Sequence, residues 1–288
     1  MIEMSPRYHV GDERILEIAL RLQYITALAA CLMLSAPSVT LADDGQHWWS
    51  GDWYLKVGAT GFVAPRYEGS KDYLLQGVPL FSVGKAGEPV RFTSRNDNPS
   101  ISLYESGFVR VGAVGKLVMP RDGDDSDDLK GLKPIKLGAE LGGFAEAYPT
   151  EWLRLRAEVR RGIRSHNGFV ADLSADAFTD VTPTVRLSAG PRLTFASEAF
   201  QDAYYGVNAK QAAKSGLSKF DPKGGLQSAG IGGAVTWQTT DKIETSTFAE
   251  YKRLLGSAAD SSLVQERGSR DQYLVGVSAS YKFGFTLD

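Results

Sequence analysis

The chain has 288 residues, 43% hydrophobic and 23% charged, with 31 glycines and a formal net charge of −2. This balance excludes a disordered chain and offers no basic surface for nucleic acid. Past the N-terminus no apolar run reaches the roughly 18 residues a membrane-spanning helix needs, which excludes a helical membrane protein.

Residues 21–42, "RLQYITALAACLMLSAPSVTLA", read as a secretory signal. Arg21 gives the positive flank, Tyr24 to Ala36 the apolar core, and Thr40-Leu41-Ala42 a small-residue cleavage site. The chain thus divides into a signal peptide, 1–42, and a mature domain, 43–288. Upstream, Glu3, Asp12, Glu13 and Glu17 do not suit a signal and point to a start codon assigned too early. A competing reading takes "LAAC", Leu28 to Cys31, as a lipoprotein signal, although the apolar stretch continues through Leu32-Met33-Leu34. Cleavage after Ala42 removes the only cysteine, and with it any disulfide or thiol chemistry.

The mature chain alternates with period two almost throughout. The pattern predicts strands over 53–64, 73–83, 89–94, 99–105, 108–119, 133–147, 152–164, 168–179, 183–196, 226–239, 242–254 and 272–285. That makes about twelve, or ten if 89–94 and 99–105 are loop. Connections after even-numbered strands are brief: Gly84 to Glu88, Ser106-Gly107, Tyr148 to Glu151, Asp180 to Thr182, Thr240-Asp241. Several after odd-numbered strands are long: Pro65 to Asp72, Pro120 to Leu132, Ser197 to Gly225, Leu255 to Asp271. Short turns at one end and long loops at the other are the pattern of an outer-membrane barrel. In the longest loop, Lys210 to Leu217 suits a short helix.

Each strand separates two chemistries. In 152–163, Leu153, Leu155, Ala157 and Val159 alternate with Arg154, Arg156, Glu158 and Arg160. In 272–285, Tyr273, Val275, Val277, Ala279, Tyr281, Phe283 and Phe285 share one face, and small or polar residues share the other. A soluble sandwich also alternates, but most of these segments run about 11–15 residues, well beyond the usual mode of about 5–6. A tilted strand crosses a bilayer in about 9–11. Trp53, Tyr148, Trp152, Phe169, Trp237, Tyr273 and Phe285 fall near strand ends, where interfacial aromatics belong. The fold expected is therefore all-β: an antiparallel transmembrane barrel, apolar outside and wet inside. Its lumen-lining candidates are Arg110, Lys116, Glu140, Glu146, Arg154, Arg156, Glu158, Arg160, Arg186 and Arg192. Glu140 and Glu146, on the adjacent strand, are candidate partners for the arginines. Arg161 breaks phase and suits the interface, where its stem can snorkel. Two consequences stay open: a selective pore, or a ladder that only braces a barrel too narrow to conduct.

Other motifs carry less chemistry. "RDGDDSDD", 121–128, holds five aspartates but lacks the glycine and glutamate positions of an EF-hand; it reads as a solvated loop, with weak cation or lipopolysaccharide bridging as the alternative. "SHN", 165–167, lists hydrolase residue types, but neighbours in one turn cannot form a relay, so His166 reads as a turn residue. No nucleophile–base pair, metal spacing or cofactor motif is visible, and a non-enzymatic protein is expected.

Three stretches carry a family resemblance. "PRYEGS" holds Pro65, Tyr67, Gly69 and Ser70. "AYYGV", with Tyr204, Tyr205 and Gly206, precedes "SGL", which is Ser215, Gly216 and Leu217. "AEYKRLLGSAADSSLV", 249–264, leads to a last strand containing "YKF". In order and spacing these resemble the MipA/OmpV family of MltA-interacting proteins, across essentially the whole mature chain. The resemblance implies an outer-membrane barrel of a Gram-negative cell, in contact with lipid and lipopolysaccharide and delivered by the barrel-assembly machinery. It further implies porin-like permeation, or scaffolding of murein synthases and lytic transglycosylases. One departure stands out: Thr286-Leu287-Asp288 follow Phe285, so the terminal aromatic is not terminal.

Overall fold

Alternation becomes ladder over most of the chain. The computed structural model describes residues 50–87 and 91–287; the signal-peptide and lipidation readings fall outside the described residues. The strands are β1 Gly51–Pro65, β2 Tyr73–Lys85, β3 Ser100–Glu105, β4 Val109–Val118, β5 Gly138–Thr150, β6 Leu153–Ile163, β7 Phe169–Thr182, β8 Val185–Ala196, β9 Gly225–Gln238, β10 Ile243–Leu254 and β11 Asp271–Leu287. All pairings are antiparallel, in the order β2-β1-β11-β10-β9-β8-β7-β6-β5-β4-β3. The first strand pairs with the last, from Gly51↔Leu287 to Val63↔Val275. That pairing carries the sheet past Phe285, so Thr286 and Leu287 extend the strand.

Among the described residues there are eleven strands, against the expected number of about twelve. Residues 91–94 form no ladder, and the strand expected over 89–94 does not form there. Among the described residues no ladder joins β2 to β3, the two edges of the curled sheet.

The two faces differ as the alternation requires. Leu155, Val159 and Ile163 of β6 are exposed, while Arg154, Arg156, Glu158 and Arg160 between them are buried. In β11, Tyr273, Val275, Val277, Phe283 and Phe285 are exposed, and Ser278 and Ser280 are buried. In water so broad an apolar surface would be a liability. Against hydrocarbon it is the favourable face, and the ladders satisfy backbone groups that lipid cannot. Tyr148 departs from the expected aromatic girdle: its hydroxyl turns to the polar face, 2.9 Å from Glu146 Oε2.

Turns at one end are tight, with only 151–152 between β5 and β6 and 183–184 between β7 and β8. The other end carries helices α1 Glu198–Tyr205, α2 Ala209–Ser215, α3 Gly256–Asp260 and α4 Ser262–Arg267. The expected helix near 210–217 is α2. Asn208 caps it by accepting from the backbone N–H groups of Lys210 and Gln211, and Gln211 returns the bond, a capping box. Gly216 ends it at φ 77°.

Candidate functional site: a charge ladder beneath a strap and a cap

Adjacent registers bring Arg154, Arg156, Glu158 and Arg160 against β5 and β7. Glu146 opposes Arg156, and Asp176 opposes Arg154. Arg154 Nη2 donates to Asp176 Oδ2 at 2.7 Å, and Nη1 to Glu146 Oε1 at 3.3 Å. Arg156 donates to Glu146 and, through Nε at 2.7 Å, to Glu158 Oε1. Arg160 reaches Glu140 Oε2 at 2.9 Å, Asp172 Oδ2 at 2.6 Å, and Glu158. Arg192 of β8 donates to Asp176, and Arg110 of β4 to Glu146 Oε2 at 3.2 Å. The ladder is therefore a continuous network of alternating charge. Alternation is what makes burial tolerable, because each guanidinium meets carboxylates that offset the cost of leaving water. Phe144 supplies an aromatic face beneath Arg156, 4.3 Å from the guanidinium carbon.

The 91–99 segment crosses this face as a strap. Asp97 takes Arg154 in a two-pronged pair, Nη1 to Oδ2 at 2.5 Å and Nη2 to Oδ1 at 2.8 Å. Asn98 donates to Glu158 at 2.8 Å, Ser94 Oγ accepts from Arg192 at 3.1 Å, Asn96 donates to Glu250, and Arg95 donates to Glu244 at 2.7 Å. Phe92 stacks on Phe178 with centroids 4.4 Å apart. One short segment thus touches β6, β7, β8 and β10 from the same side, so the sheet curls around it.

The long loops close the opposite end as a cap, and the family-motif residues build it. Tyr67, Val207, Leu217 and Leu263 form one apolar cluster with Leu129. Phe200, Tyr205, Leu254 and Val264 anchor a second, which rests on Val170. Pro65 ends β1. Gly69, at φ 95°, donates its N–H to Gln272 Oε1 at 3.0 Å. Ser70 is fully buried and its Oγ accepts from the Asp72 N–H. Ser261 Oγ donates to the Tyr205 carbonyl at 2.8 Å, and Gly206 closes α1. Tyr204 stacks on Phe200, and its carbonyl accepts from Arg121 Nη2 at 2.8 Å. The Ser215 carbonyl accepts from Arg267. Burial, then the neighbouring Asp128 carboxylate, pushes the Tyr67 phenol well up, and burial does the same for Tyr204 and Tyr205. Burial works to raise the Glu68 carboxyl as well. Lys252, 2.7 Å away, together with the charge of Lys116 and the Tyr205 hydroxyl, outweighs it and holds the group below its ordinary value.

Between strap and cap lies a cavity of about 190 Å³, lined among others by Glu68, Asn96, Lys116, Glu140, Arg156, Gln227 and Glu250. Of the expected site residues, Arg186 stands apart from the network, pairing with Asp180 at 2.7 Å beside the tight β7–β8 turn. Arg161 is exposed, its guanidinium 5.4 Å from the centre of the Phe169 ring. His166 is more than a turn residue. Its buried ring lies edge-on to Phe200, with Nε2 3.1 Å from Glu140 Oε1 and Nδ1 accepting from the Gly168 N–H. Both ring nitrogens are occupied, which leaves no free base there. Within 121–128, Asp125 and Asp122 bond to local backbone N–H groups, Asp127 pairs with Lys130, and Asp128 accepts from Tyr67. Among the described residues no group of three or more His, Cys, Asp or Glu could hold a metal ion. Asp97, Asp172, Asp176, Glu244 and Glu250 were not singled out from the sequence. Asp172 and Asp176 share the phase of β7's polar face, which was the available signal.

A family model described as MltA-interacting protein MipA matches residues 57–283. The chain belongs to this family. It is an antiparallel outer-membrane β-barrel protein of the Gram-negative envelope. No curated protein matches the MipA-family chain in sequence. Similar solved structures include OprB of Pseudomonas putida, at 12% identity and TM-score 0.36, covering 64% of this chain and 47% of that one. The NanC porin matches at 8% identity and TM-score 0.39, covering 80% and 100%. OprG from Pseudomonas aeruginosa matches at 10% identity and TM-score 0.24, covering 81% and 96%. The chain therefore spans about half the length of OprB.

Proposed function

We propose that this MipA-family protein is a non-enzymatic, porin-like barrel whose interior is closed at rest by its own strap. The polar face is taken as the water-filled lumen, lined by Arg110, Lys116, Glu140, Glu146, Arg154, Arg156, Glu158, Arg160 and Arg192, with Arg186 at its short-turn mouth. The observation that carries this reading is the two-pronged Arg154–Asp97 pair. A barrel braced only by its walls has no need of a strap, whereas a gate needs a polar segment held by pairs that can exchange for water. The test is planar-bilayer recording of folded protein, wild type against a variant with Asp97→Ala and Asn98→Ala. Long closures in the wild type and persistent conductance in the variant are expected. A folded variant that conducts no more than bare bilayer removes the pore.

A second reading, the scaffold, draws on the family's description as MltA-interacting. It places murein synthases and lytic transglycosylases at the periplasmic end. The tight turns 151–152 and 183–184 offer little surface there. A pull-down from envelope extracts that recovers neither enzyme class removes it.

A further inference from the structure

We infer that the cavity between strap and cap binds a small zwitterion, a solute with one ammonium and one carboxylate, as a free α-amino acid has. The inference rests on the proposed function only in taking the polar face as water-filled. Two charged side chains carry it, each facing the same space without a salt bridge of its own, and a buried amide packs beside them. Lys116 of β4 lines the cavity, and its ammonium makes no hydrogen bond or salt bridge among the described residues, its charge reaching Glu140 and Glu68 only at longer range. Glu250 of β10 lines it too; its carboxylate is met by the neutral amide of Asn96 and forms no salt bridge among the described residues, although the Lys252 charge acts on it from a distance. Gln227 of β9 is 1% exposed, lines the same cavity, and has a buried Oε1 without a hydrogen-bond partner.

The arrangement selects for charge. Five strands separate β4 from β10 in the sheet order, so the curled sheet brings Lys116 and Glu250 into one cavity from different walls. A solute carboxylate suits Lys116 and a solute ammonium suits Glu250. Five basic and six acidic side chains line the cavity, close to balance. A lone anion would meet Lys116 but enter among the carboxylates. A lone cation would meet Glu250 but enter among the guanidinium groups. Either brings an uncompensated charge into a partly dehydrated space, which is costly, whereas a dipolar molecule brings none. At about 190 Å³ the space lies below the roughly 300–1,000 Å³ of drug-sized pockets, which favours a molecule of a few heavy atoms.

The test is calorimetric titration of the folded full chain in detergent with glycine and L-serine, against acetate and methylammonium as single-ended probes. The zwitterions should bind at least tenfold more tightly than either single-ended probe. Lys116→Met and Glu250→Gln should each weaken the zwitterion at least tenfold, with heat-modifiable gel migration unchanged. Absence of zwitterion binding, equal binding of acetate or methylammonium, or wild-type affinity in both variants overturns the site. If the variants do not fold, the wild-type comparison with single-ended probes decides alone. Conductance read on the same preparation separates the two ideas. A conducting strap variant with no zwitterion binding overturns the site and leaves the pore, and zwitterion binding without conductance does the reverse.

Discussion

Arg154 and Asp97 lie 57 positions apart, and the arginine grips both carboxylate oxygens of the aspartate while also holding Asp176 on the neighbouring strand. The bond set is unequal. Losing Asp97 leaves Arg154 with Asp176 and Glu146; losing Arg154 removes the cation that three carboxylates share, leaving Asp176 with Arg192, Glu146 with Arg156 and Arg110, and Asp97 with only Arg156 at 3.9 Å. Breaking a buried pair so that charge is left uncompensated costs about 3–5 kcal/mol, and Arg154→Ala should fall in that range. Asp97→Ala should cost less, about 1.5–3 kcal/mol, the usual worth of a hydrogen bond to a charged group. Urea unfolding in lipid vesicles, followed by tryptophan emission, checks the order. An Asp97 variant less stable than the Arg154 variant contradicts the network.

Gly69 and Gly216 both sit at positive φ in the cap, but their surroundings differ. A Cβ at Gly69 would lie 2.8 Å from Val264 Cγ2, while one at Gly216 would meet nothing nearer than 3.9 Å. Gly216→Ala should cost only the left-handed backbone term, about 1–2 kcal/mol. Gly69→Ala should cost more, since it also wedges the loop away from the cluster of Tyr205, Leu254 and Val264. Protease cleavage within 197–224, at fixed protease, should run fastest in Gly69→Ala. Equal rates in the two variants would mean that the 66–72 loop does not brace the cap.

Glu68 gives the cap a pH dependence. Its folded value is depressed, because Lys252, together with the charge of Lys116 and the Tyr205 hydroxyl, overcomes the effect of burial. A depressed carboxyl stabilises the fold fully above its unfolded value, about 4.3, and that contribution is lost as pH falls through the lower folded value. Protection of the 66–72 and 197–224 amides, relative to the intrinsic exchange rate at each pH, should hold above about pH 4.3 and fall as pH drops below it. In Glu68→Gln the acid-dependent step should be gone. A wild-type step centred well above pH 4.3 would show that another group governs the cap.

The eleven strands and their two faces were legible because lipid and water impose one period on every crossing. Adjacency alone offered Glu140 and Glu146 as partners for the arginines of β6, but the register that sets Glu146 opposite Arg156 comes only from the ladder. The strap was not legible. Its first part, near 89–94, alternates as a strand does, and only the run Arg95-Asn96-Asp97-Asn98-Pro99, polar and turn-forming, argues otherwise. What decides its path is partners far away in sequence: Glu158, Arg192, Glu244 and Glu250, each on a different strand or end. The cap escaped for the same reason. Tyr67, Leu217 and Leu263 become one cluster only after the sheet has brought three loops to one end.

Val159 and Trp152 test which solvent meets the outer face. Both side chains are exposed, 54% and 55%, but Val159 lies within β6 and Trp152 immediately precedes it at the tight turn. If the face meets hydrocarbon, the cost of a charge depends on depth. Arginine costs about 2–4 kcal/mol near the bilayer midplane and about 0–1 near the interface. Val159→Arg should therefore lower the free energy of folding into vesicles several-fold more than Trp152→Arg, because only the second guanidinium reaches headgroups without deforming the bilayer. On a water-facing surface the two substitutions would cost alike and little. Parity between them, measured by reversible folding into vesicles at low pH, would refute a lipid-facing β6.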